Sequence, residues 1–411
     1  MLNWANRFNI FCFLDDHGYS ADSAAFDCIL AAGCNRSIAL QQGNAFNSLK
    51  DFYDQQPGWL FGHLGYDLKN EVESLGSSKQ PLIDFGAGFF FEPEVVVRLH
   101  NNTLSITSPS QNAATIFTEL ESQPATIDAN TPAYVTVRAG MSKEKYIAAI
   151  NALRQHIIKG DCYEINYCQQ FSALNAVINP LYTYSRLVNV SPNPFAALYK
   201  LDDKYCICAS PERYLKKSGS RLVSQPIKGT IKRNKENAQA DNANKKQLFE
   251  SSKERSENVM VVDLVRNDLS KICKEGTVEV QELFGIYTFP HLHQMISTIK
   301  GEIADGLHWT DAVKATFPMG SMTGAPKKRV MELIDEYETT ARGLFSGAIG
   351  YVTPNADFDF NVVIRSIFYD AANKTLSFSA GGGITFNSNA EEEYEESMLK
   401  AEAIVKVLNE A

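Results

Sequence analysis

A chain of 411 residues with 48 acidic and 39 basic side chains, net charge −9, has room for two or three units of about 150 residues or for one large mixed unit. The acidic balance argues against a nucleic-acid protein, which gathers a basic excess on one face. It leaves an anionic small-molecule substrate open, because a local cluster of Arg, Lys or metal outweighs net charge.

No apolar stretch approaches the roughly 20 residues that cross a bilayer. The N-terminus, Met1 to Arg7, lacks the basic and apolar regions of a signal peptide. The eight cysteines (Cys12, Cys28, Cys34, Cys162, Cys168, Cys206, Cys208, Cys273) form no C-x-x-C pair and read as free thiols in a reducing cytoplasm. Cys206 and Cys208 alternate along a strand pattern and read as packing.

In chain order, residues 1–130 predict strands and turns, with Phe89–Phe91 leading into Val95–Val97 as buried strand material. Residues 108–132 are rich in Pro, Ser, Thr and Asn and predict a surface connection to the main body. A helix begins after Ser142, carries Tyr146, Ile150 and Leu153 at helical spacing, and ends at Gly160. Residues 162–172 and 204–215 predict strands, and 241–258 a helix. Pro326 to Tyr337 predicts a helix with proline in its first turn. Residues 358–368 alternate as one strand, with Asn361, Val363 and Arg365 sharing a face. Asn389 caps a final helix whose apolar stripe is Tyr394, Met398, Ala401, Val405 and Leu408. Strands in runs, without strict βαβ alternation, favour an α+β fold with antiparallel sheets.

Several constellations suit chemistry. Lys228 lies in Pro226-Ile227-Lys228-Gly229-Thr230, where a tight, partly desolvated site would lower the amine pKa and make a nucleophile; an ordinary solvated lysine is the competing reading and is favoured on this segment alone. Glu393, Glu396 and Lys400 share one helical face, and Glu254 and Glu257 another. Two such carboxylate pairs suit Mg²⁺, which takes hard oxygen ligands; solvated surface charge is the competing reading. Gly381-Gly382-Gly383, after a predicted strand, lets backbone approach an anion closely. The run Gly320 to Lys327 offers hydroxyls, Thr323 among them, and a helix N-terminus to a carboxylate or phosphate. Its order is not that of a P-loop, which argues against phosphoryl transfer. Arg365 suits a bidentate carboxylate clamp, and Glu212, in Ser210-Pro211-Glu212-Arg213, suits a general acid.

These motifs, with Gly160 to Asn166 before them, stand in the order found in the chorismate-utilising enzymes, which the chain resembles over residues 140–408. Phe61 to Asp67 resembles a family segment as well. The resemblance implies one α+β unit of two antiparallel β-sheets packed between helix layers, with residues 1–130 as its N-terminal part and 131–411 as the chorismate-binding catalytic region. It implies chorismate as substrate and Mg²⁺ as cofactor. Glu257 and Glu396 then hold the metal, supported by Glu254 and Glu393, and the metal holds the ring carboxylate beside the Gly381–Gly383 amides and Lys400. Arg365 would clamp the enolpyruvyl carboxylate, and Glu212 would protonate the departing C4 hydroxyl.

Lysine at 228 resembles the aminodeoxychorismate-forming branch, where the amine attacks C2 as the C4 hydroxyl leaves, and ammonia then adds at C4 and expels the lysine from C2. Anthranilate and isochorismate synthases carry alanine there. Two departures stand out. Glu164 replaces the glutamine of aminating relatives and the lysine of water-adding ones, and Gln294 replaces a histidine. The resemblance also implies ammonia from a separate glutamine amidotransferase subunit, and a later lyase step to para-aminobenzoate for folate synthesis. The rival readings are anthranilate synthase component I, whose N-terminal Leu-Leu-Glu-Ser is not found, and a non-catalytic regulatory subunit of the same fold.

Overall fold

Two antiparallel sheets, of eleven and ten strands among the described residues, form the body of the computed structural model, which describes residues 1–19, 26–127 and 134–409. The boundary expected at residue 130 lies outside those residues. The first sheet runs from Gly324–Ala325 through Glu164–Leu174, Thr375–Ile384, Ser366–Asp370, Lys204–Ser210 and Phe195–Leu201 to the N-terminal strands Ile10–Asp15, Cys28–Ala32, Val95–His100 and Thr103–Thr107. The second runs from Ile227–Lys232 through Leu292–Glu302, Arg221–Gln225, Arg213–Ser218, Phe358–Asn361 and Ala348–Val352 to Leu60–Leu64, Gly88–Glu92 and Arg36–Leu40. N-terminal strands thus extend both sheets.

Strand alternation decides which side chains fill the space between the sheets. Cys12, Ala31, Cys206 and Cys208 point inward and meet Phe61, Phe91 and Phe360 of the other sheet. Their neighbours Phe11, Leu30 and Ile207 point the other way, onto helices Pro180–Val190 and Ala390–Asn409 through Leu181 and Ile404. Helices Ala45–Gln55, Ser252–Ser270 and Trp309–Thr316 contribute Leu49, Val261 and Trp309 to the inter-sheet core cluster. The result is the expected α+β stack. The eight cysteines are free thiols.

Several predicted elements divide. Residues 204–215 form two strands, because Pro211 offers no N–H to continue a ladder and the chain passes to the second sheet. Residues 358–368 also divide: Phe358–Asn361 lies in the second sheet and Ser366–Asp370 in the first. Arg365 is therefore on no strand face; it sits in the passage between sheets with φ +51°. The aromatic and valine runs split likewise, into Gly88–Glu92 and Val95–His100 of different sheets. The helix expected over 241–258 breaks at Ser251, which is extended and whose side chain accepts from the Glu254 N–H. The polar connection includes a helix, Ala113–Glu121, capped by Asn112.

The two passages between sheets lie side by side. Val362 N–H donates to the Glu212 carbonyl at 3.1 Å. Arg213 then clamps Asp359 with two hydrogen bonds of 2.9 and 3.0 Å. Glu212 and Arg365 are placed by this double crossing.

A second brace lies under the glycine strand. Arg342 and Glu338 form a buried ion pair with side chains 3% and 6% exposed. Arg342 also donates to the Met322 and Asn166 carbonyls, and lies 4.6 Å from the ring centroid of Tyr66, in the N-terminal segment singled out above. Glu338 accepts from the Cys168 N–H. Arg342→Met strands that carboxylate, and should lower unfolding free energy by roughly 3–5 kcal/mol in denaturant titration. A loss below about 1 kcal/mol, the scale of an exposed pair, would contradict the brace.

Candidate active site

Lys228 lies on Ile227–Lys232 at the edge of the second sheet, and Glu164 begins Glu164–Leu174 in the first. The Lys228 Nζ donates to Glu164 Oε1 at 2.5 Å, with side chains 11% and 4% exposed. Burial opposes the charge on Lys228, but Glu164, Glu257 and Glu212 outweigh it and raise its pKa above the ordinary lysine value. This corrects the expectation of a depressed amine. Lys228 rests as an ammonium, held by surrounding carboxylates.

Glu212 shows the opposite balance. It is buried, and loss of water pushes its pKa up to about 7; the Ser321 hydroxyl, Lys228 and Arg365 only partly oppose this. Ser321 Oγ donates to Glu212 Oε1 at 2.5 Å. The carboxyl is therefore proton-loaded near neutrality, as a general acid requires. Arg365 feels Glu212 electrostatically and has no side-chain hydrogen bond or ion pair among the described residues, so its guanidinium is unspent.

The glycines lie within Thr375–Ile384, not after it. Antiparallel pairing sets Gly381 opposite Cys168 and Gly383 opposite Asn166. Cys168 and Asn166 give their N–H groups to Glu338 and Thr323 instead. Those two positions are thus non-hydrogen-bonded pairs, and the Gly381 and Gly383 amides face away from that neighbour. A Cβ at Gly381 would lie 1.9 Å from the Tyr167 carbonyl oxygen. At Gly383 it would lie 2.8 Å from Glu164 Oε1 and 2.9 Å from Lys228 Nζ. At Gly382 it would lie 3.1 Å from Glu393 Oε2. The bare strand is what lets the ion pair and the carboxylates close over it.

The four carboxylates come from two helices, Ser252–Ser270 and Ala390–Asn409. On the terminal helix the buried face is rotated from the expected stripe: Glu393, Ser397, Ala401 and Ile404 are buried, while Tyr394, Met398 and Val405 are half-buried. Glu257 is pushed up to about 7 by burial, and Glu254 and Glu393 are raised for the same leading reason. Burial acts on Glu396 too, but Lys400, Lys253 and Lys228 outweigh it and lower its pKa. Lys400 donates to Glu396 at 2.8 Å and to the Gly381 carbonyl at 2.7 Å. Glu257 Oε1 is buried without a hydrogen-bond partner among the described residues. Crowded carboxylates with unspent oxygens fit a hard divalent cation. They are not closed on one point: among the described residues, no three acidic, cysteine or histidine side chains form a ready ligand group.

Thr323 turns its hydroxyl to its own segment. It is fully buried, and its hydroxyl donates to the Met319 and Gly320 carbonyls. Lys327, in the same run, pairs with Asp268. Gln294 is fully buried, with both amide atoms unpartnered. Sequence reasoning passed over Ser321, because nothing in its run singles it out from Thr323. It also passed over the Arg342–Glu338 brace, which carries no motif.

Glu212, the Lys228–Glu164 pair, Arg365 and the carboxylates of the two helices form one cluster of charged side chains. Residues 15–406 match the family described as "chorismate binding enzyme", and the chain belongs to that family. Among curated relatives it is 34% identical over 355 residues to aminodeoxychorismate synthase component 1 of Escherichia coli (strain K12), covering 85% of this chain and 77% of that one. It is 38% identical over 271 residues to the Bacillus subtilis protein of the same name, covering 66% and 57%. Among solved structures, anthranilate synthase component I from Streptococcus pneumoniae TIGR4 superposes with a TM-score of 0.82 at 24% identity, covering 94% of each chain. The menaquinone-specific isochorismate synthase of Escherichia coli gives 0.78 at 16% identity, covering 99% and 91%. Those two likenesses define the fold.

The Glu212 environment sets a pH profile. With an acid form required, kcat/KM should fall as pH rises through about 7. The Ser321 hydrogen bond favours the carboxylate, so Ser321→Ala should move that limb to higher pH. An unmoved limb would separate Glu212 from the titration.

Proposed function

We propose that this enzyme aminates chorismate at C4, giving 4-amino-4-deoxychorismate on the route to para-aminobenzoate, through a covalent adduct on Lys228. The observation that carries the reading is the buried Lys228 ammonium beside Glu164, within electrostatic reach of the acid Glu212 and of Glu257. A direct attack at C2 needs no amine side chain in that position. An amine that adds at C2 and is then displaced by ammonia at C4 does.

The chain's own residues divide the work. Glu212 gives its proton to the C4 hydroxyl, which departs as water. Lys228, once neutral, forms the N–C2 bond, the C1=C2 pair moves to C1=C6, the C5=C6 pair moves to C4=C5, and the C4–O bond breaks. Ammonia then bonds to C4, the C4=C5 pair returns to C5=C6 and the C1=C6 pair to C1=C2, and the C2–N bond breaks with its pair leaving on Lys228. The product retains the ring nitrogen at C4 and the enolpyruvyl group.

Arg365 takes the enolpyruvyl carboxylate in bidentate fashion, and the outward amides of Gly381 and Gly383, with Lys400, take the ring carboxylate. Glu257 and Glu396, with Glu254 and Glu393, would hold Mg²⁺. The bound ion supplies charge neutralisation for the ring carboxylate and fixes its position. Thr323 contributes packing, its hydroxyl being spent. Ammonia comes from a separate glutamine amidotransferase subunit, consistent with relatives named as component 1. No helix among the described residues is long and apolar enough to cross a membrane, and the free thiols suit the cytoplasm.

Purified protein given chorismate, Mg²⁺ and ammonium should form 4-amino-4-deoxychorismate, identified by mass and by conversion to para-aminobenzoate with a pyridoxal-phosphate lyase. Fluorescent anthranilate as the product would overturn the reading. Glu396→Gln should raise the Mg²⁺ concentration needed for half-maximal rate by roughly tenfold or more, the scale of losing one charged ligand contact. An unchanged Mg²⁺ titration would remove Glu396 from the ligand set.

A further inference from the structure

The cluster contains one carboxylate in contact with the nucleophile that has no other task. Glu212 is bonded to Ser321 and is the acid proposed above, and Glu254, Glu257, Glu393 and Glu396 are the carboxylates proposed above to hold Mg²⁺. Glu164 stands apart from both. Its Oε1 accepts from Lys228 Nζ at 2.5 Å, and its Oε2 is buried with no hydrogen-bond partner among the described residues. The side chain is 4% exposed, so bulk water does not share the contact. Its backbone is fixed: Glu164 pairs with Ala325, and its carbonyl oxygen would lie 2.0 Å from a Cβ at Gly324. On the other side, the absent side chain of Gly383 leaves the room in which both Oε1 and Nζ sit.

An ammonium has no lone pair and forms no bond to carbon. Before Lys228 attacks, one proton must leave Nζ, and the group already hydrogen-bonded to it is Glu164. We infer that Glu164 is the base of the reaction, a catalytic residue that takes a proton from Lys228 as the amine attacks and returns it when the amine is displaced. The balance closes. The ammonium N–H bond breaks and its proton forms the Glu164 O–H bond, leaving the lone pair that makes the N–C2 bond. When ammonia displaces Lys228, the ring diene returns to C1=C2 and C5=C6, and the C2–N pair leaves on the adduct nitrogen, which departs as a neutral amine. It recovers its proton from Glu164, and the ammonium and carboxylate are restored. A glutamine at 164 would still offer Lys228 an acceptor, because its amide oxygen also accepts, but it could not hold the proton. Proton transfer and mere positioning are therefore separable in this chain.

The inference rests on the Lys228 adduct proposed above, and its test keeps the two apart. Wild type, Glu164→Gln and Glu164→Ala are compared for kcat, for chorismate KM and for product identity, with far-ultraviolet circular dichroism to establish folding. Loss of a general base costs roughly 10²-fold or more, so Glu164→Gln should lose that much in kcat at neutral pH, keep KM for chorismate within about threefold, and form the same product. Glu164→Ala should be as slow, and sodium formate should restore part of its rate while leaving wild type unchanged. Wild-type kcat in Glu164→Gln overturns the base assignment, whatever the wild-type product is. So does a slow Glu164→Ala that formate does not help, which would make Glu164 a packing contact only. If Glu164→Ala does not fold, the isosteric glutamine variant decides alone. Formation of anthranilate by wild type would instead overturn the C4 reading.

Discussion

One excess of negative charge organises this molecule. Six carboxylates, from one strand, the passage between the sheets and two helices, converge around the buried amine of Lys228 and the partly shielded amines of Lys253 and Lys400. Taking charges out of water is costly unless they are paired, and here the pairing is incomplete. Glu257 and Glu212 answer by holding protons up to about neutrality, and Glu257 and Glu164 keep oxygens without partners. Such a site is poised for a cation and for proton traffic, and the stability it forgoes is supplied by the sheet stack around it.

The architecture explains how so many acids are held together. Both polypeptide passages between the sheets fall at the same place, where Glu212 and Arg365 leave regular structure and are fixed by their neighbours Arg213 and Val362. A strand without side chains at Gly381, Gly382 and Gly383 then lets two helices and the lysine strand approach within contact distance. The Arg342–Glu338 pair, backed by Tyr66 from the N-terminal region, holds the far side of that strand. The N-terminal residues therefore support the site although they supply no reacting group.

Much of this was legible in the residues. Ordered motifs around Lys228, Glu212 and Glu257 pointed to one family and one fold, and the capping residues Ser142 and Asn389 marked true helix starts. What was not legible depended on tertiary context. The alternation over 358–368 is real, but the chain changes sheets midway, so Arg365 left the face that periodicity gave it. The terminal helix buries Glu393 and Ser397 in preference to Met398, because the cleft, not hydrophobicity, sets which face turns inward. Thr323 and Ser321 are two residues apart in one run, and only packing decides which hydroxyl reaches Glu212. The sign of the Lys228 shift was also beyond sequence, since burial and nearby carboxylates act in opposite directions and only the geometry says which prevails.

The central claim is that the Lys228 nitrogen bonds to the substrate ring. It is tested most directly by mixing the enzyme with chorismate and Mg²⁺ in the absence of ammonium, quenching, and mapping peptides by mass. The account predicts that the peptide containing Lys228 gains the mass of chorismate less one water, and that the gain disappears on adding ammonium and in Lys228→Ala. An unmodified peptide in enzyme that turns over as soon as ammonium is supplied would contradict it.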